Sequence, residues 1–143
     1  MSGPGSASLM PVAAMVGLTA VVGVALLAQR VGEMRDRRIN LQLVANSWQM
    51  AATLERVNIA DNFRNLFETP VLFYALCLAL AITQSATPAM LGAAWSYVAL
   101  RVVHSAIHCT YNRVAHRFVA FAAGFSLLLG LWVAFALQLA ATP

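Results

Sequence analysis

Four long apolar stretches run along this chain, at about residues 9–29, 66–83, 89–108 and 118–141. Most of them approach the roughly twenty residues that a helix needs to cross a bilayer. Together with their polar flanks they predict helices at about 9–29, 58–83, 89–112 and 116–141. The pattern therefore predicts an all-α fold, a four-transmembrane-helix bundle that forms a single integral membrane domain over residues 1–143, with a basic loop at about 30–57.

The composition agrees with a membrane protein, because 61% of the residues are hydrophobic and only 10% are charged. The first apolar stretch has a second interpretation, as a secretory signal. However, the leader MSGPGSASLMP has no basic segment, and the apolar run that follows outlasts the core of a typical signal. A retained first helix is the interpretation that the sequence favours.

The arginines are distributed unevenly. They lie mainly between helices 1 and 2 and after helix 3, at Arg30, Arg35, Arg37, Arg38, Arg56, Arg113 and Arg117. Short loops rich in arginine stay in the cytoplasm, so both basic segments are predicted to be cytoplasmic and both termini non-cytoplasmic. Attraction to membrane lipid explains the net charge of +4. Nucleic acid is not an expected partner, because the arginines form no solvated stripe with interleaved aromatic residues.

Helix 3 carries a polar stripe in the run YVALRVVHSAIHCTYN. Arg101, His104 and His108 follow one another at spacings of three and four, which places them on one helix face, and Tyr97 and Tyr111 extend the stripe. A charged group at the bilayer centre costs about 2.5–3.5 kcal/mol on insertion scales. The stripe is therefore predicted to face protein or water, and it is the first candidate for a functional surface.

Three roles are open for the two histidines: substrate contact, hydrogen bonding between helices, and ligation of a metal or haem. No HExxH motif or third nearby carboxylate completes a metal-ligand set, so no metal site is predicted. Arg101 has two interpretations, a ligand contact or an anchor that pairs with Glu68 or Asp61. Cys77 and Cys109 show no metal-ligand spacing and are interpreted as buried small hydrophobic residues.

Helix 2 begins with a dense polar segment, ERVNIADNFRNLFETP. One stripe on it comprises Glu55, Asn58, Asn62 and Asn65, and a second comprises Asp61, Arg64 and Glu68. The spacing of the second stripe predicts that Arg64 is neutralised within its own helix. The asparagines suit hydrogen bonds to other helices. The alternative is an ordinary helix that starts at the membrane interface.

Pro70 lies at the change from polar to apolar sequence in helix 2. Proline lacks an N–H and its ring clashes with the carbonyl four residues earlier, here that of Leu66. A kink is predicted at this point, with a crevice toward a neighbouring helix.

These residues resemble the membrane-associated proteins in eicosanoid and glutathione metabolism, the MAPEG family. The matching segments are ER at 55–56, NLFETP at 65–70, RVVH at 101–104 followed by His108, and the downstream Arg117. The resemblance covers about residues 10–140. It implies a homotrimer whose active sites lie between subunits near the cytoplasmic side and bind glutathione as a co-substrate.

The resemblance also implies roles for individual residues. Arg117 would be catalytic, activating the glutathione thiol, while Asn65, Glu68, Arg101, His104 and His108 would bind the substrate. The implied function is a glutathione-dependent transferase or peroxidase acting on lipophilic electrophiles or hydroperoxides, with glutathione or another small thiol. The alternative is a non-catalytic lipid-binding or scaffolding protein, which is favoured by Asp61 standing where many members carry an arginine.

Overall fold

The computed structural model describes residues 7–141, and in that part of the chain every regular element is a helix. In chain order the helices are α1 (Leu9–Asp36), a short 3₁₀ helix (Leu41–Val44), α2 (Ser47–Thr53), α3 (Asn58–Asn65), α4 (Thr69–Thr83), α5 (Pro88–Cys109) and α6 (Val114–Ala140). Four segments are long and apolar enough to cross a membrane: α1, α3 with α4, α5, and α6. The protein is therefore a multi-pass integral membrane protein.

The sequence pattern placed the ends of these helices approximately. Helix α1 continues to Asp36 instead of stopping near residue 29, and the segment at 37–57 includes the 3₁₀ helix and α2. Helix α5 begins where the Thr87 hydroxyl accepts a hydrogen bond from the backbone N–H of Met90, with Pro88 at its first position. Local capping chemistry thus sets this boundary.

Short turns join α4 to α5 and α5 to α6, so consecutive spans run in opposite directions. Helix α6 packs along α5, while α1 packs against α3, α4 and α5. In the core, the rings of Phe73 and Tyr97 stack at a centroid distance of 4.5 Å, and Met15, Leu76 and Leu128 are buried around them. Many large apolar side chains on the outside are exposed, as expected for a surface that faces lipid.

The second span is broken at Leu66–Glu68, which confirms the kink predicted from Pro70. Pro70 lies in the first turn of α4 and gives no N–H to the Leu66 carbonyl. Hydrogen bonds between residues three apart replace the α-helical hydrogen bonds here, as when the Phe67 N–H donates to the Arg64 carbonyl at 2.9 Å. The polar helix α3 and the apolar helix α4 are therefore separate units.

A buried carboxylate fixes the segment between the first two spans. Glu33 is only 6% exposed, and it accepts hydrogen bonds from Arg37 at 3.0 Å and from the backbone N–H groups of Glu55 and Arg56 at 2.7 and 3.3 Å. Arg37 also donates to the Thr53 carbonyl. The carboxylate ties the end of α1 to the residues that precede α3, a role that the sequence did not indicate.

Candidate functional site

Three asparagines on one face of α3 join it to α5 and to the turn that follows α5. Asn58 accepts a hydrogen bond from Asn112 at 2.9 Å. Asn62, which is fully buried, accepts one from the Ser105 hydroxyl and donates one to the Cys109 sulfur, both at 3.3 Å. The asparagine stripe therefore bonds across helices, as its spacing predicted, and it is not an ordinary interfacial surface.

Asn65 is the third member of the stripe and the one that contacts a charged side chain. It accepts a hydrogen bond from Arg101 Nη1 at 3.0 Å and donates one to Glu68 Oε2 at 3.3 Å. The amide thus links a carboxylate at the helix break to a guanidinium inside the bundle.

Arg101 is buried to 1% exposure between two aromatic rings. Its guanidinium carbon lies 5.3 Å from the centroid of Tyr97 and 5.0 Å from that of Phe121. Its Nε and Nη2 atoms have no hydrogen-bond partner within residues 7–141, and Glu68 and Asp61 form no ion pair with it there. Gly124 of α6 packs beside the guanidinium, and a Cβ at that position would make an ordinary van der Waals contact with Nη2 at 3.6 Å.

Arg117 lies in the first turns of α6 and connects three parts of the site. Its Nη1 donates to His108 Nε2 at 2.8 Å and to Asn112 Oδ1 at 3.0 Å, and its carbonyl lies 3.1 Å from His104 Nδ1. Because a guanidinium only donates and a carbonyl only accepts, His108 carries its lone pair on Nε2 and His104 carries a proton on Nδ1. Both histidines are thereby oriented by the same arginine.

These side chains surround a cavity of about 240 Å³. Its lining residues are Asn65, His104, His108, Val114, Arg117, Phe118 and Phe121. Four of the six predicted site residues therefore share one cavity. The other two lie beside it: Arg101 contacts Asn65 and Phe121 from behind the wall, and Glu68 contacts Asn65 from the helix break.

The polar stripe of α5 faces protein, as predicted from the cost of charge in lipid. Tyr97, Arg101, His104 and His108 are all buried. The stripe ends at His108, however, because Tyr111 belongs to the turn after α5 and is exposed, with its hydroxyl 3.2 Å from His116 Nδ1. The helix does not continue far enough to bring Tyr111 onto the same face.

The histidine pair stands with its rings nearly perpendicular, at a centroid distance of 5.6 Å. Within the described residues no third histidine, cysteine or carboxylate joins them in a group that could hold a metal ion. The second polar stripe of the second span does not line this cavity. Arg64 of α3 pairs with Asp61 at 3.6 Å, as the spacing predicted, and both side chains are exposed.

The family model for MAPEG matches residues 8–137 of the chain. The chain belongs to the MAPEG family. Comparison with curated proteins and with solved structures gives no match. The match spans all four membrane helices, and it includes every residue of the cavity.

Sequence reasoning missed three residues at this candidate site of the MAPEG protein: Ser105, Asn112 and Phe121. Asn112 adopts a left-handed backbone conformation, with φ of 46°, in the turn between α5 and α6, where it contacts both Asn58 and Arg117. Asparagine tolerates this conformation better than most residues. The sequence feature that could have indicated Asn112 is its position in a short turn beside the polar end of a helix.

Proposed function

We propose that this MAPEG protein binds glutathione, or another low-molecular-weight thiol, in the cavity between α5 and α6 and uses it on lipophilic electrophiles or hydroperoxides. The observation that supports this proposal most is the position of Arg117. It lines the cavity, and its Nη1 is held by His108 and Asn112, while Nε and Nη2 donate no hydrogen bond to residues 7–141. These free donors are available to a ligand.

A thiol beside such a guanidinium has a lowered pKa, because the positive charge stabilises the thiolate. The thiol proton is then released to water, and the thiolate is the nucleophile. In a transferase reaction its sulfur bonds to an electrophilic carbon. In a peroxidase reaction two thiols become a disulfide while a hydroperoxide is reduced to an alcohol and water.

The surroundings of Arg117 suit a ligand that has polar and apolar parts. Asn65 and the two histidines offer hydrogen-bonding groups, and Val114, Phe118 and Phe121 form an apolar wall. Phe118 is 66% exposed on the outer face of α6, at the surface that meets lipid. A substrate dissolved in the membrane therefore reaches the thiolate without crossing the bundle.

We further propose that the protein is a homotrimer whose neighbouring subunits complete the site, with the loops at 37–57 and 110–113 in the cytoplasm. An open cavity at the bundle surface leaves space for such a contribution. The arginines that gather at these loops support the orientation.

Thiolate formation tests this function directly. The protein is purified in detergent and titrated with glutathione while the ultraviolet difference absorbance of the thiolate is followed. A saturable signal is expected, with loss of most of it in Arg117→Ala. Arg113→Ala is the matched control, since Arg113 is exposed and lies outside the cavity lining, and it should retain the signal. No signal in the wild-type protein contradicts the proposal.

One observation favours the alternative of a non-catalytic, lipid-binding protein. Asn65, Arg101, His104, His108 and Arg117 all contact one another or the backbone, so the same contacts hold helices together. In that case glutathione gives no thiolate signal, and Arg117→Ala lowers thermal stability only. Measuring both quantities on the same samples separates the two functions.

A further inference from the structure

We propose a second binding site, separate from the thiol cavity, in which an anionic phospholipid lies between α1 and the broken second span. Its phosphate would contact Arg30, Arg56 and Arg64, and one acyl chain would lie in the apolar groove below them. The inference does not depend on the proposed function, because none of the residues that line these two spaces lines the thiol cavity.

The first part of the site is a small cavity of about 120 Å³ where α1, α2 and α3 meet. Three arginines line it, Arg30, Arg56 and Arg64, together with one carboxylate, that of Asp61. Arg64 is paired with Asp61, but the side chains of Arg30 and Arg56 form no hydrogen bond or ion pair with any residue at 7–141. The cavity therefore has a surplus of positive charge that the protein itself does not neutralise.

Hydrogen bonds hold the backbone at one side of this cavity. Arg56 is held through its backbone, since its N–H donates to Glu33 and its carbonyl accepts from Gln29 at 3.1 Å. The cavity also adjoins the first turn of α3, because Val57 and Ala60 line it. This helix start has no side-chain cap, and a helix N-terminus favours an anion.

The second part of the site is an open apolar groove of about 620 Å³, a size within the range of roughly 300–1,000 Å³ typical of small-molecule sites. Its walls come from α1, α3 and α4 and from the helix break, and they include Val16, Ala20, Gly23, Leu27, Phe63 and Phe67. Gly23 lets α1 approach the ring of Phe63, since a Cβ there would lie 3.1 Å from that ring.

The two spaces are lined by neighbouring residues of the same two helices. Leu27 of the groove and Arg30 of the cavity are three residues apart on α1, and Phe63 and Arg64 are consecutive on α3. Residues three apart share a helix face. An apolar channel that ends at unpaired arginines fits a molecule with a long hydrocarbon chain and an anionic head, and arginine binds phosphate through paired donors.

Lipid retention measured by native mass spectrometry tests the site on the full-length protein. The protein is equilibrated with a phosphatidylglycerol or with the phosphatidylcholine of the same acyl chains. We expect selective retention of phosphatidylglycerol, reduced roughly 25-fold by the double substitution Arg30→Gln and Arg56→Gln, from about fivefold for each basic residue. Arg35→Gln with Arg113→Gln is the control, since both residues are exposed and outside the cavity.

A separate substitution tests whether an acyl chain occupies the apolar groove. Ala20→Trp should fill it and lower phosphatidylglycerol retention, whereas Ala28→Trp, on an exposed position outside the groove, should not. The proposal would be overturned if the Arg30 and Arg56 double variant and the Arg35 and Arg113 control lost phosphatidylglycerol retention equally. Equal retention of the two lipids by the wild-type protein would also overturn it. So would dissociation of subunits by Ala20→Trp without loss of lipid, which would assign the groove to a second copy of the chain.

Two further outcomes identify other ligands. Displacement of the lipid by millimolar glycerol 3-phosphate would mean that the site takes free phosphate compounds instead of a membrane lipid. Loss of the glutathione thiolate signal in the Arg30 and Arg56 double variant would assign these arginines to thiol binding. A normal thiolate signal together with lost lipid retention supports two separate sites.

Discussion

Arg117 on α6 donates a hydrogen bond to His108 on α5 across 2.8 Å. The bond joins two consecutive spans at the cavity and determines which nitrogen of the imidazole carries the proton. His108 is thus an acceptor that holds the guanidinium in place. Asn112, in the turn between α5 and α6, accepts a second hydrogen bond from the same Arg117 Nη1 atom. Under the proposed function, His108 has a positioning role and Arg117 is the group that contacts the thiol.

Replacing His108 should weaken thiol activation without removing it. We expect His108→Ala to raise the pH midpoint of glutathione thiolate formation, because Arg117 is no longer fixed beside the sulfur. Activity should fall about 10- to 150-fold, from about 1.5–3 kcal/mol for a hydrogen bond to a charged group. His108→Gln, whose amide oxygen can accept the same bond, should recover most of the effect. An unchanged midpoint in His108→Ala would show that Arg117 is held without it.

Asn62 should contribute to stability more than to ligand binding. It is fully buried and bonds Ser105 and Cys109, so Asn62→Leu leaves the Ser105 hydroxyl without its acceptor. We expect a loss of about 1–3 kcal/mol in the free energy of unfolding. Thermal unfolding in detergent measures it, with Gln42→Leu on the exposed 3₁₀ helix as a control that should change little.

Pro70→Ala should repair the break in the second span. The new N–H at position 70 can donate to the Leu66 carbonyl, so the helix continues through residues 66–68 and Asn65 turns away from Arg101. We expect slower amide hydrogen exchange at these residues and at least tenfold weaker glutathione binding. Pro88→Ala, at the first position of α5 where no internal bond is gained, should leave both measurements unaltered.

Arg101 should act on the ligand through Asn65. The neutral side chain in Arg101→Met still fills the space between Tyr97 and Phe121, so we expect a folded protein with a lower affinity for glutathione and a similar maximal rate. Arg101→Lys lacks the planar fork and should not restore the affinity. If Arg101→Met instead abolishes folding in detergent, the arginine is structural, and size-exclusion profiles separate that result from a binding defect.

Glu33 should control the segment between α1 and α3. Removing its carboxylate in Glu33→Ala leaves Arg37 and two backbone N–H groups without their acceptor, and the expected cost is about 1.5–3 kcal/mol. Limited trypsin digestion should then cut the segment 37–57 several-fold faster. Asp36→Ala removes a neighbouring exposed carboxylate that forms no ion pair within residues 7–141, and its digestion should match the wild type.

The sequence predicted the fold well because its two strongest signals are physical necessities. Apolar stretches long enough to cross a bilayer mark the spans, and Pro70 in the second span marks the break at Leu66–Glu68. Spacing likewise showed that Arg101, His104 and His108 share a buried face. Trimer assembly and thiol binding came only from family resemblance, so they stay proposals.

Other parts of the site depend on contacts between distant residues, which periodicity does not contain. Nothing about Glu33 distinguishes it from an ordinary charge at a helix end until residues 55 and 56 fold back onto it. Asn112 gains its role from a left-handed turn, and Arg101 lies behind the cavity wall because Phe121 of α6 covers it. Helix faces could be assigned from spacing, whereas the depth of each side chain could not.

The broken second span also affects the membrane around the protein. Its apolar part, α4, has 15 residues and is about 22 Å long at 1.5 Å per residue, against a hydrocarbon thickness of about 30 Å. The polar helix α3 completes the span in length but adds little apolar surface, so the mismatch is relieved by local bilayer thinning, by snorkelling of flanking side chains or by contact with another subunit. Where the bilayer thins, Asn65 and the neighbouring cavity lie closer to the headgroups than the length of the other helices suggests.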